Sequence, residues 1–233
     1  MFKGLLGVLL ICTGLGVNGQ RVVISEDLRS RDEVPEFGMN RKHYLHFYTG
    51  FHFPAGKPGH PGAQILHRRS LAFDYGLRYK RRFNNTFSAG YDLALKRSSF
   101  FIRQQDGKLV PDPAIHEKEK LVFLTGELGL YHRINYGRRG DHIGRFIDLG
   151  AYGAWHFNVR HVSFDEFDNE RVRVRRSGMD YPEPLGYGLL LRIGFNNVVA
   201  KGTYRMSDLF RPDAGLPEFP RFTIGLELGL HRP

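Results

Sequence analysis

A chain of 233 residues with a formal net charge of +10 has room for one large or two small domains, and no change of composition divides it after the first nineteen residues. Its single cysteine, Cys12, lies in that opening stretch, which excludes a disulfide framework and thiol chemistry in the remainder. The basic balance suits anionic partners: nucleic acid if the chain stays inside the cell, and the phosphates of lipid and lipopolysaccharide, with no nucleic acid, if it is exported.

Residues 1–19 read as a signal peptide. Lys3 gives a positive start, Gly4 to Gly16 is almost continuously apolar, and Val17-Asn18-Gly19 precedes a cut ahead of Gln20. The apolar run is shorter than the roughly 20 residues that a spanning helix needs. Processing as a lipoprotein at Cys12 would require a small residue where Ile11 stands. Residues 20–42 are expected to form an N-terminal periplasmic segment, and 43–233 the main domain.

From residue 44 onward, large apolar residues recur at every second position, the period of a strand with two unlike faces. The pattern predicts eight strands, over 44–53, 70–80, 86–96, 121–133, 146–160, 185–195, 198–206 and 221–230. In "SLAFDYGLRYK", Leu71, Phe73, Tyr75, Leu77 and Tyr79 oppose Ala72, Asp74, Gly76, Arg78 and Lys80. In "FIDLGAYGAWHFNVR", Ile147, Leu149, Ala151, Trp155, Phe157 and Val159 oppose Asp148, Gly150, Tyr152, Ala154, His156, Asn158 and Arg160. Each run is near the roughly 9 to 11 residues that a tilted strand needs to cross a bilayer. Long joins at 55–69, 98–120, 161–184 and 207–220 alternate with short ones at 81–85, 134–145 and Asn196-Asn197, the plan of an all-β, eight-stranded antiparallel up-and-down transmembrane β-barrel.

A soluble lipocalin-like carrier would show the same period with opposite polarity, apolar within and wet outside. The polar series decides the orientation, because it mixes glycine and alanine with isolated charges of both signs. Asp74, Arg78, Asp92, Lys96, Glu127, Asp148, Arg192, Lys201, Arg205 and Glu227 belong to it. In eight strands the interior is just wide enough for side chains to fill, so long charged residues fit only beside small ones. These ten residues are expected to form a paired charge network that plugs the lumen, since unpaired buried charge is costly. Phe53, Trp155, Phe157, Tyr187, Tyr204 and Phe222 then form an aromatic girdle at the loop end, and Tyr79, Phe87 and Phe195 one at the turn end.

The stretches "GRFIDLGAYGAWHF", "TYRMSDLF" and "PRFTIGLELGL" resemble small outer-membrane barrels of the OmpA/OmpX type, and most of all the outer membrane protein β-barrel group of the Bacteroidota, which includes PorT-like proteins. The resemblance spans residues 43 to 230. It implies residence in the outer membrane of a Gram-negative cell, contact with the barrel-assembly machinery, and a fold more than an activity.

Outside the barrel pattern, Arg171, Arg173, Arg175 and Arg176 lie in the longest join, and Arg68 and Arg69 in another. A strand over the first group would align Arg171, Arg173 and Arg175 toward lipopolysaccharide phosphates or an acidic envelope protein, and Arg68, Arg69 and Arg176 are expected to share in binding that anionic surface. His161-Val162-Ser163 resembles the His-x-Ser of outer-membrane lipid A deacylases, with Glu166 or Glu170 as a third member. His43, His46 and His52 are spaced too far apart along one strand to hold an ion together. No cofactor, metal or catalytic set is expected. The expected role is non-enzymatic: structural, surface-binding, or accessory to envelope assembly or secretion. A lipid-modifying enzyme and a periplasmic carrier are the alternatives.

Overall fold

The computed structural model describes residues 36–137, 140–167 and 170–230. The expected signal peptide and residues 20–35 lie outside the described residues. Nine strands follow in chain order: β1 (His43–Ala55), β2 (Leu71–Arg82), β3 (Phe87–Ile102), β4 (Lys118–Tyr136), β5 (Arg145–Phe167), β6 (Glu170–Ser177), β7 (Leu185–Phe195), β8 (Val198–Arg205) and β9 (Phe222–Leu230). There is no α-helix among the described residues.

Eight of these strands form a closed ring. Each pairs antiparallel with the next, β5 with β7, and β9 returns to β1 in the register Phe47↔Leu230 to Ala55↔Phe222. Closure leaves the ring no free edge. The ninth strand, β6, is a branch. β5 is long enough for β7 to take one edge over Arg145–Trp155, while β6 takes that edge over Arg160–Phe167.

The two faces of the wall differ sharply. Leu71, Phe73 and Tyr75 are exposed, whereas Asp74 is 0% and Arg78 1% exposed. The exposed series runs round the ring through Phe51, Leu93, Leu128, Leu149, Leu189 and Leu226. Inside, three layers follow one another from the turn end. Tyr44, Ile143, Phe146 and Val199 make an apolar floor. Charged side chains fill the middle. At the loop end, Leu121, Phe123 and Ile102 from the wall meet Ile65, Val110, Leu209, Phe210 and Phe219 from the joins to make an apolar cap.

The structure differs from the sequence reading in two respects. First, several strands are longer than expected, mostly on the loop side and, for β4 and β5, at the turn end as well. The predicted join 98–120 shrinks to the residues between Ile102 and Lys118, the turn 134–145 to those between Tyr136 and Arg145, and the join 161–184 contains the upper part of β5 and all of β6. Above the apolar belt the outward positions become charged, so hydropathy no longer marks a strand although the hydrogen-bond ladder continues. Second, Asn158 and Arg160 lie outward and Val159 inward, the reverse of the sequence reading. The β4–β5 register passes from Leu124↔Asn158 to Thr125↔His156, so Phe157 is the extra residue of a bulge. Above it Val159 packs on the cap and Arg160 turns outward.

Candidate functional site

Asp74, Arg78, Asp92, Lys96, Glu127, Asp148, Arg192, Lys201 and Glu227 meet inside the ring. Arg78 Nη2 donates to Glu227 Oε2 (2.7 Å), and Arg192 Nη2 to Asp92 Oδ2 (2.7 Å). Lys201 Nζ stands between Glu227 (3.1 Å), Glu127 (3.4 Å) and Asp74 (3.5 Å), and Lys96 Nζ donates to Glu127 (3.2 Å). Arg133 completes the set by gripping Asp148 through Nε (2.7 Å) and Nη2 (2.9 Å), the two-pronged contact that makes arginine–carboxylate pairs strong. Five acids, Asp74, Asp92, Glu127, Asp148 and Glu227, thus face five bases, Arg78, Lys96, Arg133, Arg192 and Lys201. By formal count the carboxylates balance the guanidinium and ammonium groups.

Arg205 is the exception among the expected ten. It ends β8, above the network, and donates to Glu218 (2.6 Å) and to the carbonyls of Ser207 and Phe219 in the β8–β9 join. The carboxylate that answers it comes from a loop, so the alternation of the strands carried no sign of the pairing. Conversely Arg133 and His52, both on the polar series, belong to the network: His52 Nε2 lies 2.9 Å from Asp74 Oδ2. Tyr48 lies beneath the Arg78 guanidinium, 4.1 Å from ring centre to carbon.

The small residues act as predicted. A methyl group on Gly50 would fall 2.5 Å from Asp74 Oδ1 and 2.8 Å from His52 Nε2, and one on Gly129 would fall 2.8 Å from Asp92 Oδ1. Between network and cap remains a cavity of about 70 Å³, lined by Lys96, Thr125, Glu127, Tyr152, His156 and Arg205 among others.

A second polar cluster lies at the loop end, under the strap between β3 and β4. Glu119 accepts from Lys108, from Gln104 (2.8 Å) and from His161 (2.6 Å), while His116 Nδ1 lies 2.9 Å from Asp165 Oδ2. Burial alone raises the Glu119 carboxyl, but the hydrogen bonds from His161, Lys108 and Gln104 outweigh it and hold the group below its ordinary value. Asp112, His116 and Glu119 bring ligand atoms within 4.8 Å of one another, as do His52, Asp74 and Glu227. In both trios an ammonium of the chain already supplies the positive charge: Lys108 on Glu119, and Lys201 between Asp74 and Glu227.

The expected His161–Ser163 pair faces inward, and His161 takes Glu119 as its partner among the described residues. Glu166 sits opposite Arg171 on the other face of β5, and Glu170 opposite Phe167 at the hairpin tip, so neither joins His161 as a third member.

The basic residues of the joins separate into groups. Arg171, Arg173 and Arg175 share the outer face of β6, with the Arg173 guanidinium 5.3 Å from the Phe164 ring centre. Arg176 lies in the opposite register, across from His161, and Arg68 and Arg69 lie exposed in the β1–β2 join. Three cations that sequence reasoning missed stand beside the β6 group: Arg97, Lys120 and Arg160. Arg97 continues the outward odd-numbered series of β3 two residues past Leu95, which is the signal that could have found it. Comparison with protein-family models and with curated proteins finds no match for this chain.

Proposed function

We propose that this chain is an integral outer-membrane β-barrel of eight transmembrane strands with a side-chain-filled lumen and a non-enzymatic role, structural, surface-binding or accessory to envelope assembly or secretion. The observation that carries the reading is the polarity of the closed ring: an exposed belt of Leu, Ile and Phe surrounds a buried, charge-balanced interior. A water-exposed wall would leave that belt without a partner, whereas acyl chains match it. Strands of eleven residues in β7 and nine in β9 suit a tilted crossing. Trp155, Phe157, Tyr187 and Phe222 lie where the belt ends toward the loops, the level favoured by interfacial aromatics. A lipocalin-like carrier needs an apolar ligand chamber, and here the middle of the ring holds Arg78, Arg192, Lys201 and their carboxylates.

On this reading the loop end faces outward and the resemblance to Bacteroidota barrels describes the compartment. The test is fractionation of the full chain expressed in a Gram-negative host. The expected result is a carbonate-resistant outer-membrane protein whose electrophoretic mobility shifts on boiling. Recovery in the soluble periplasm would overturn the reading.

A further inference from the structure

The outer face of β3 to β6 carries an unusual column of residues. Registers Arg97↔Leu124, Val122↔Arg160, Lys120↔Val162, Val162↔Arg175 and Phe164↔Arg173 bring five cations onto one patch. They line a recess of about 60 Å³ whose base is Val122, Leu124 and Val162. Val122 and Val162 point outward yet are 5% and 3% exposed, covered as valines are beneath the aliphatic stems of long basic residues. Among the described residues none of these five cations has a carboxylate partner, in contrast to the paired bases inside. Burial and the charges of Arg97, Arg173 and Arg175 push the Lys120 ammonium below its ordinary value. Such like-charge crowding is relieved by an anion.

Directly below lies an apolar dent. Arg97 is two residues above Leu95, about 7 Å along the strand. Leu95 pairs with Gly126, which pairs with Trp155, and the next row runs Leu93, Leu128, Gly153, Tyr187. Gly126 and Gly153 have open space where a side chain would begin, so the wall is hollowed between Leu95, Leu128, Trp155 and Tyr187. Cation recess and dent form one continuous footprint, charged above and greasy below.

We propose that this face is a binding site for a single doubly phosphorylated, multiply acylated membrane lipid, with its phosphates in the Arg97–Lys120–Arg160–Arg173–Arg175 recess and an acyl chain over Gly126 and Gly153. A phosphate monoester carries a charge of about −1.5 to −2, so two of them offset most of the charge of the five cations where one would leave more than half of it. Guanidinium groups from Arg97, Arg160, Arg173 and Arg175 supply the forked contacts that phosphate oxygens accept. The proposal rests on the barrel reading, since an acyl chain reaches the dent only from within a bilayer.

The experiment uses the full chain folded in detergent and measures lipid retention by native mass spectrometry. The probes are the diphosphorylated acylated disaccharide of lipopolysaccharide, its singly phosphorylated form, and inorganic phosphate. The triple variant Lys120→Gln/Arg160→Gln/Arg173→Gln is expected to lose roughly 100-fold in affinity for the diphosphorylated probe, at about a factor of five per charge. The singly phosphorylated probe binds the native chain more weakly and loses less. Gly126→Leu with Gly153→Leu weakens both lipids without altering the response to inorganic phosphate, and Arg68→Gln with Arg69→Gln changes nothing. Undiminished retention by the triple variant overturns the site, as does inorganic phosphate binding as tightly as lipid. Should the triple variant lose the fold-dependent mobility shift, the native chain decides instead, through a steep fall of retention with salt that a purely apolar contact would not show. Insertion into vesicles is scored separately by the boiling shift. A native chain that inserts but retains no lipid through these cations overturns the inference alone, and one that fails to insert overturns the barrel reading with it.

Discussion

At the scale of single residues, the interior depends on pairing and on room. Arg192 is fully buried and binds Asp92 at 2.7 Å with Glu227 at 3.6 Å and Asp148 at 3.8 Å. Arg192→Met would leave those carboxylates facing only their remaining partners, and breaking a buried pair from one side costs about 3–5 kcal/mol. The expected outcome is a large fall in the urea midpoint of the vesicle-folded protein. Fluorescence of Trp155, the single tryptophan, reports it from the outer wall. Room is tested by a pair of glycines. Gly50→Ala would force its new methyl against Asp74 and His52, an overpacking worth about 1–3 kcal/mol. Gly153→Ala adds the same methyl to open space on the outer wall and is expected to leave the midpoint unchanged. Equal effects at the two positions would contradict the view that interior glycines exist to make way for long charges.

At the scale of elements, legibility follows the apolar belt. Where a wall has one greasy face, alternation identifies the strand and separates its two sides, so "SLAFDYGLRYK" puts Asp74 and Arg78 on one side, and the glycines and alanines among the charges of the whole polar series put that side within. Beyond the belt that contrast disappears. The tops of β3, β4 and β5 and all of β6 are held by backbone hydrogen bonds that leave no periodic apolar mark, and the bulge at Phe157 reverses the parity that had placed Val159 outside. The cap and the Glu119 cluster depend on join residues brought together only by folding, so Lys108, His161 and Glu119 could not be read as neighbours. That cluster fixes the strap against β4 and β5, and its pH dependence has a definite sign. Glu119 is held below its unfolded value of 4.5, so its contribution is complete above that pH and is lost as pH falls through the lower folded value. Protection of the amides of residues 103–117, taken relative to their intrinsic exchange rates, is therefore expected to fall on acidification below about pH 4.5. In Glu119→Gln that protection should already be lower at neutral pH and respond less to acid. A strap whose exchange ignored both changes would show that the cluster does not hold it.

At the scale of the whole molecule, the layers inside the ring stand in series. A permeating ion entering from the loops meets the apolar cap of Phe123, Phe210 and Phe219, then the neutral cluster of five acids and five bases, then the floor, where the Arg133 guanidinium covers the Phe146 ring at 3.5 Å. Gly194 is part of that floor, because a side chain there would collide with Phe146. The interior is charge-balanced, so the net charge of +10 is not a lining for anions but resides elsewhere, notably in the outward patch of Arg97, Lys120, Arg160, Arg173 and Arg175. Resistances in series are set by the tightest layer, so opening one layer leaves the path shut. Reconstituted in a planar bilayer, the native chain is expected to show no conductance steps, and Phe146→Ala is expected to remain silent, because the network above the floor stays intact. The same variant should lose about 3–5 kcal/mol of stability, the usual consequence of truncating a buried phenylalanine. Stability and conductance thus separate in one protein: a floor that served as the gate would lose both together, and steady single-channel currents from Phe146→Ala would show that the charges beneath the cap are a path and not a plug.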